Sequence, residues 1–297
     1  MSQPVIYASL CAYRKFVSLL PRKVASRLGG AIGRLVYYFN HKKTLEAIAR
    51  VEKYLGVSNE EAKKIIKKCY WHFGSAATEF ARLPKDASHI TDFVEQDGVE
   101  HVTRPISEGR GVLLITAHIG NWEYAASALA HLGVPVNGLG ADQRDSRITQ
   151  MISDLRAAGG VKPLGKASDL RAVIGALKKG EMIAVPIDQD AKEKGLASPF
   201  LGHTASTPLG VAKLASHTGC AVVVGACLRK PDGNFVSRYL PPLEFAGGKK
   251  FGEDIQASLD LANEKISDFI RENPWQWLWL YPRWESVERG LFNDNRN

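Results

Sequence analysis

The sequence predicts an α/β protein in which a mixed, mostly parallel sheet is flanked by helices and preceded by an N-terminal amphipathic helical arm. Three observations lead there. Short apolar runs alternate with stretches of helical period from about residue 112 to residue 240. Basic residues crowd the first 45 positions without acidic ones. And 45% of the 297 residues are hydrophobic, enough to fill a core without crosslinks.

The arm comes first, over residues 1–42. The chain carries a net charge of +8, and residues 1–45 hold eight basic side chains (Arg14, Lys15, Arg22, Lys23, Arg27, Arg34, Lys42, Lys43), while from residue 46 onward the charges balance. Charge confined to one arm speaks against a nucleic-acid partner, whose reader spreads basic residues and interleaved aromatics over a surface. The arm does not fit a signal peptide, because the charges follow the apolar run and no small-x-small cleavage site is clear. The uncharged start, Met1 to Tyr13, is shorter than the roughly 20 apolar residues that cross a bilayer. Pro21 suits the first turn of a second helix. Stepping about 100° per residue places Arg22, Lys23, Arg27 and Arg34 within roughly 140°, and Val24, Leu28, Ile32, Leu35 and Phe39 within about 80° on the opposite side. Such a helix suits an interfacial anchor on an anionic membrane surface or an ordinary surface helix with a solvated face. The confinement of the charge favours the membrane.

A single α/β domain is expected over 43–297, with no linker inside it. It opens on a helical stretch, about Lys43 to Leu83, in which Ser58 reads as a cap with Glu61 as its box partner and Pro84 as the stop. "FVEQDGVEHV" alternates around the Asp97-Gly98 turn signal. The rhythm that follows is "VLLIT" and a helix at 121–132, "VPVNGL" and 146–158, "VKPL" and 168–179, "MIAVPID" and 206–218, then "AVVVGACL" and "FVSRYL". A long helix, about Glu253 to Glu272, precedes "PWQWLWLYPRW". Trp275, Trp277 and Trp279 alternate there as on one face of a strand, serving core packing or an interfacial aromatic belt. The four cysteines, Cys11, Cys69, Cys220 and Cys227, are scattered without metal-like or disulfide-like spacing, which suits a reducing compartment.

Chemistry concentrates at two strand ends. His118 closes the "GVLLIT" strand and Glu123 lies in the first turn of the next helix, so the carboxylate is expected to reach back to the imidazole, fix its tautomer and stabilise its charged form. No GxSxG elbow and no neighbouring cysteine supplies a nucleophile, so a His-Glu pair is left to deprotonate a hydroxyl of an acceptor. A histidine at a strand end also serves as a hydrogen-bonded structural residue, and that reading stays open on these residues alone. The second strand end, "VPIDQD", brings Asp188, Gln189 and Asp190 to the same carboxyl edge, as loop caps or as parts of a site.

"GVLLITAHIGNWE" resembles the H-x4-D/E signature of the bacterial lipid A biosynthesis acyltransferases, the lauroyl and myristoyl transferase group. The likeness continues in order through "LRAAGG", "ALKKGEMIAVPIDQD", "PFLG" with "AST", and "NPWQWLWLYPRW". It implies a glycerolipid acyltransferase-like fold and transfer of a fatty acyl group to a hydroxyl of a membrane glycolipid, first a lipid A precursor. The donor would be a thioester of acyl carrier protein or CoA, serving as co-substrate without metal or bound cofactor. Other acceptors, a phosphatidylinositol mannoside or a lysophospholipid, and a non-catalytic lipid-binding protein of the same fold, are the alternatives. The resemblance implies His118 as general base and Glu123 as its partner, with Asn121, Trp122, Asp188, Gln189, Arg156 and Arg283 around the substrate. Arg144 and Arg147 lie where many members carry Arg followed by Asn-Pro; this chain reads "DQRDSRI", a candidate for headgroup contact. The expected place of work is the cytoplasmic face of the bacterial inner membrane, peripheral or monotopic.

Overall fold

The computed structural model describes residues 3–140, 143–166, 169–245 and 248–292. Four helices come first: α1 (Gln3–Leu19), α2 (Arg22–Phe39), α3 (His41–Leu55) and α4 (Asn59–Asp86). The helical stretch expected as one piece is two, because Gly56 takes a left-handed conformation at the end of α3 and Ser58 caps the next helix, accepting from the Glu61 N–H at 3.3 Å. Pro84 does not stop α4. It sits in the last turn, so the helix has little left to lose beyond it, and the Ala87 N–H still reaches the Leu83 carbonyl.

α2 lies on α4 through its small residues. A Cβ on Gly33 would meet the Tyr70 carbonyl at 2.1 Å, and one on Gly74 would meet the Gly29 carbonyl at 2.3 Å, so the backbones touch where side chains would part them. With its glycine face inward, α2 turns the apolar stripe read from the sequence outward. Val24, Ile32, Leu35 and Phe39 are exposed, Phe39 by 80%. α1 likewise exposes Val5, Ile6, Leu10, Phe16 and Leu19 and buries only Val17.

A 3₁₀ turn leads into β1 (Val94–Asp97) and α5 (Glu100–Ser107), a short helix not anticipated after Asp97-Gly98. The α/β rhythm then runs β2 (Val112–Thr116), α6 (Trp122–His131), β3 (Val136–Gly140), α7 (Ser146–Ala158), β4 (Lys162–Lys166), α8 (Leu170–Lys178), β5 (Met182–Pro186), β6 (Leu196–Phe200), β7 (His203–Thr207), α9 (Gly210–Thr218), β8 (Ala221–Arg229) and β9 (Phe235–Tyr239). α10 (Ile255–Glu272) and α11 (Glu285–Glu288) complete it. The helix expected over 206–218 starts only at Gly210, because Ser206 and Thr207 belong to β7, which pairs antiparallel with β6 in a two-stranded sheet.

Seven strands form the main sheet in the order β1-β9-β8-β2-β5-β3-β4, parallel at every pairing except β8 with β9. The central strands β2 and β8 are buried along their whole length, which is why they read as unbroken apolar runs rather than alternations. The tryptophan-rich tail is not a strand. It makes a 3₁₀ turn at Pro274–Gln276 and a single bridge from Trp277 to Ile119, and its rings go to the core. Trp277, Trp279 and Trp284 are fully buried, with the first two edge to face at 4.6 Å. Among the described residues no helix is long and apolar enough to cross a membrane.

Candidate active site

β2 and β5 are parallel neighbours whose last paired residues are Thr116 and Pro186. Two residues beyond each lie His118 and Asp188, so equal offsets from a shared register bring them side by side at the carboxyl edge of the sheet. The His118 Nδ1 stands 2.8 Å from Asp188 Oδ1, and the His118 backbone N–H donates to Asp188 Oδ2 at 2.8 Å. The Trp277 indole N–H donates to the same Oδ2 at 2.8 Å. Three donors thus fix a carboxylate that is only 3% exposed. The carboxylate in turn makes Nδ1 the protonated nitrogen, and the His118 Nε2 has no hydrogen-bond partner among the described residues.

The expected contact between Glu123 and the His118 ring is not made. Glu123 instead receives the Arg156 guanidinium, Nε to Oε2 at 3.0 Å and Nη2 to Oε1 at 2.6 Å, and the Trp122 indole N–H at 3.1 Å. Position explains the difference. Asp188 emerges from the adjoining strand level with His118, whereas Glu123 sits in the first turn of α6, where it meets Arg156 of α7. Glu123 still acts on His118 through space. Burial alone would lower the imidazole pKa, but the Asp188 hydrogen bond and charge, helped by the Glu123 charge, outweigh it and raise the pKa above the ordinary 6.5. Burial likewise opposes the Asp188 charge, yet its bonds to His118 and Trp277 hold its pKa below 3.8.

The turn between His118 and α6 is held from several sides. Gly120 has φ +62° and its N–H donates to the Gln276 carbonyl at 2.9 Å; a Cβ there would meet the Cys227 carbonyl at 1.8 Å, so only glycine fits. The buried His72 Nε2 meets the Gly120 carbonyl at 3.1 Å, and burial, reinforced by the Arg229 charge, pushes its pKa down to about 3, keeping it neutral. Asn121 caps α6 through the Tyr124 N–H at 3.0 Å and donates its amide to Glu79 at 2.9 Å. Glu79 is wholly buried and forms a two-pronged pair with Arg229, 2.7 Å on each prong, while accepting from Ser26 of α2 at 2.7 Å. Sequence reading missed this network. Its one visible signal is charge in apolar company, a glutamate within "SAATEFA" and an arginine ending "AVVVGACLR".

A cleft of about 410 Å³ opens beside His118 and includes Trp122, Glu123, Arg156 and Gln189 among its polar and aromatic walls. Its apolar lining comes from Ala126, Val136, Leu139, Ile152, Val161 and Val185. The Trp122 ring stands edge to face with His118 at 5.2 Å. Of the residues expected around the substrate, Trp122, Arg156 and Gln189 line this cleft. Asn121 does not; it is consumed by the cap and by Glu79. Arg283 does not line it either. It is buried away from the cleft, donating to the Ser206 carbonyl at 2.5 Å and the Thr207 hydroxyl at 2.8 Å and lying over the Phe200 ring, and burial pushes its pKa down to about 10. It ties the C-terminal segment to β7. Asp190 likewise holds that segment, through Ser286. Arg144 is exposed at the bend before α7, and Arg147 is forked onto Asp145 at 3.0 and 2.7 Å.

Fold and cleft together define an α/β enzyme whose site opens at the carboxyl edge of its sheet. The chain belongs to the bacterial lipid A biosynthesis acyltransferase family, whose model matches residues 4–286, and it is an acyltransferase. It is 25% identical over 278 residues to a lipid A biosynthesis lauroyltransferase of Escherichia coli (strain K12), spanning 92% of this chain and 89% of that protein. A lipid A biosynthesis palmitoleoyltransferase of the same organism is 26% identical over 274 residues, 90% of this chain and 87% of the relative. A phosphatidylinositol mannoside acyltransferase of Mycolicibacterium smegmatis (strain ATCC 700084 / mc(2)155) is 25% identical over 220 residues, 72% of this chain and 68% of the relative.

Proposed function

We propose that the protein transfers a fatty acyl group from a thioester, of acyl carrier protein or CoA, to a hydroxyl of a membrane glycolipid, a lipid A precursor before other acceptors. The observation that carries this reading is the His118–Asp188 pair at the mouth of an apolar-lined cleft, with Nε2 left without a partner. In the reaction, Nε2 takes the proton of the acceptor hydroxyl as its oxygen attacks the thioester carbonyl. The new C–O bond forms, the C–S bond breaks, and the imidazolium returns its proton to the departing thiolate. Asp188 and the Glu123 charge stabilise the imidazolium that exists between those events, which is where a general base gains most from a carboxylate. The apolar lining is suited to the acyl chain.

The outward apolar stripes of α1 and α2, with Lys23, Arg27 and Arg34 exposed beside them, support a peripheral or monotopic seat on an anionic bilayer at the inner membrane's cytoplasmic face. The test is incubation of purified protein in mixed micelles with radiolabelled acyl carrier protein or CoA thioesters and a defined lipid A precursor or phosphatidylinositol mannoside. Label in the glycolipid, lost in His118→Ala, is the expected result. Label released only as free fatty acid, or transfer that survives His118→Ala, overturns the reading.

A further inference from the structure

The cleft beside His118 owes its room to small residues in its walls. Side chains of a strand alternate between faces, so Val136 and Gly138 of β3 share the face that meets α7. A Cβ on Gly138 would stand 3.0 Å from Val161 Cγ1 and 3.5 Å from Arg156 Cδ, inside the narrow part of the cleft. The backbone does not demand glycine there, because the φ of Gly138 lies outside the left-handed region; space does. The register of β3 on β5, Val136 to Met182 and Asn137 to Ile183, puts Gly138 level with Ala184. Ala126, one turn along α6 from Trp122, lines the same passage. Three elements that meet at this level thus contribute one side-chain carbon or none.

Depth is set along β3. The lining runs from Gly140 near the carboxyl edge down to Val136, the whole strand, about 13 Å at roughly 3.3 Å per residue. At the lower end Val136 and Val161 are buried and belong to one apolar cluster with Leu129 and Met182, so packed hydrocarbon closes the cleft there. Asn137, the polar residue of this strand, is on the opposite face and donates its amide to Glu181 at 2.8 Å and to the Met182 carbonyl at 3.2 Å.

We infer that this closed end measures the acyl chain: the chain runs from its carbonyl at His118 past Gly138, Ala184 and Ala126, and its terminal methyl stops on Val136 and Val161. The inference rests on the proposed transfer and adds to it the length of the donor. Carbon–carbon bonds of about 1.5 Å at near-tetrahedral angles advance an extended chain by roughly 1.25 Å per carbon, so about 13 Å holds on the order of ten carbons below the carboxyl edge. With the carbons that span the mouth, the preferred acyl group has about 10 to 14. A methyl added at position 138 narrows the passage, and methyls removed at position 161 widen it.

The test gives the purified protein an equimolar mixture of saturated acyl thioesters, spanning the expected length on both sides, with a glycolipid acceptor, and counts the products by mass spectrometry. Gly138→Ala should move the products to shorter chains, with kcat/KM for the longest chain that the wild type accepts falling about tenfold, the usual effect of one methylene that no longer fits. Val161→Ala should move them to longer chains. The double variant should return toward the wild-type distribution, because the two side chains face each other. Opposite shifts from two single changes separate a length effect from a general loss of stability. A distribution unchanged in both single variants, or moved the same way in both, overturns the inference, as does a wild type that takes every length alike. Displacement of a fluorescent polyene fatty acid by free saturated fatty acids reads the preference without turnover, and the tightest-bound length should move with the variants as the products do. If the wild type acylates no acceptor while this binding optimum moves as stated, the transfer reading fails and the length assignment stands; a binding optimum that does not move overturns the assignment.

Discussion

The imidazole of His118 and the carboxylate of Asp188 face each other at 2.8 Å across two adjacent parallel strands, and the same carboxylate also accepts the His118 backbone N–H and the Trp277 indole N–H. Orientation, tautomer and charge of the histidine are thus set by one buried group supplied from another strand.

Replacing Asp188 by Asn removes the larger influences that raise the His118 pKa and leaves burial, which lowers it, opposed by the Glu123 charge alone. A base must be unprotonated to work, so the acid limb of kcat/KM should lie above pH 6.5 in the wild type and move to lower pH in Asp188→Asn. The plateau should drop by about 10² to 10⁴, the usual contribution of a general base that loses its setting. A pH–rate profile measures both. An acid limb that stays in place while the plateau falls would mean that another group titrates.

The same pair links to stability. The raised His118 pKa contributes stability that is complete below 6.5 and lost as pH rises through the folded value. The lowered Asp188 pKa contributes stability that is present above 3.8 and lost as pH falls through its folded value. The urea midpoint difference between wild type and Asp188→Asn should therefore be largest between about pH 4 and pH 6.5 and shrink on either side.

Glu123 acts at a distance and is held by Arg156. Glu123→Gln should lower kcat more than it changes KM, because the imidazolium loses one stabilising charge and the freed guanidinium adds an opposing one. Its acid limb should shift in the same direction as that of Asp188→Asn and by less. The double variant Glu123→Gln/Arg156→Gln should recover part of the loss, giving a coupling of roughly 1 to 3 kcal/mol in a mutant cycle. Strict additivity would show that the ion pair does not act as a unit.

The buried Glu79–Arg229 pair should be costly to halve. Arg229→Met leaves the Glu79 carboxylate without its partner and should destabilise the fold by about 3 to 5 kcal/mol in a denaturant titration. Because Asn121 and Ser26 bond to the same carboxylate, the effect should reach the His118 turn, with a fall in kcat under conditions where the variant is still folded. A variant of normal stability would contradict the assignment of this pair as the anchor of the turn.

Membrane binding should depend on the outward face of α2 rather than on the presence of the segment alone. Leu35→Asp with Phe39→Asp should weaken sedimentation with anionic vesicles several-fold, and added salt should weaken binding of the intact chain as the cations are screened. Deleting residues 1–39 should also uncover the face of α4 that Gly29 and Gly33 cover, so the point variants isolate the anchor while the deletion does not.

Much of the fold was legible in order. α7 and the long helix before the tryptophan-rich tail match their apolar periodicity, and β2, β5 and β8 match their unbroken apolar runs, because burial selects side chains locally. The hairpin of β6 and β7 was not legible; its side chains include Ser198, Ser206 and Thr207, buried polar residues whose partners lie on other elements. The alternating tryptophans misled for a related reason. Their spacing fits a strand, but the pull of the core on three indoles is satisfied by a coil that folds back, where Trp277 also finds Asp188.

The sequence by itself determined that a histidine and acidic residues would gather at the carboxyl edge of a mostly parallel sheet, and that the first helices would carry the basic excess, since strand ends and helix faces follow from spacing along the chain. Only the tertiary structure decided which acid serves which base. Strand order placed β5 beside β2, so Asp188 takes His118, and the approach of α7 gave Glu123 to Arg156. Such pairings are made between segments distant in sequence, and hydrogen bonds at such distances are specified by packing.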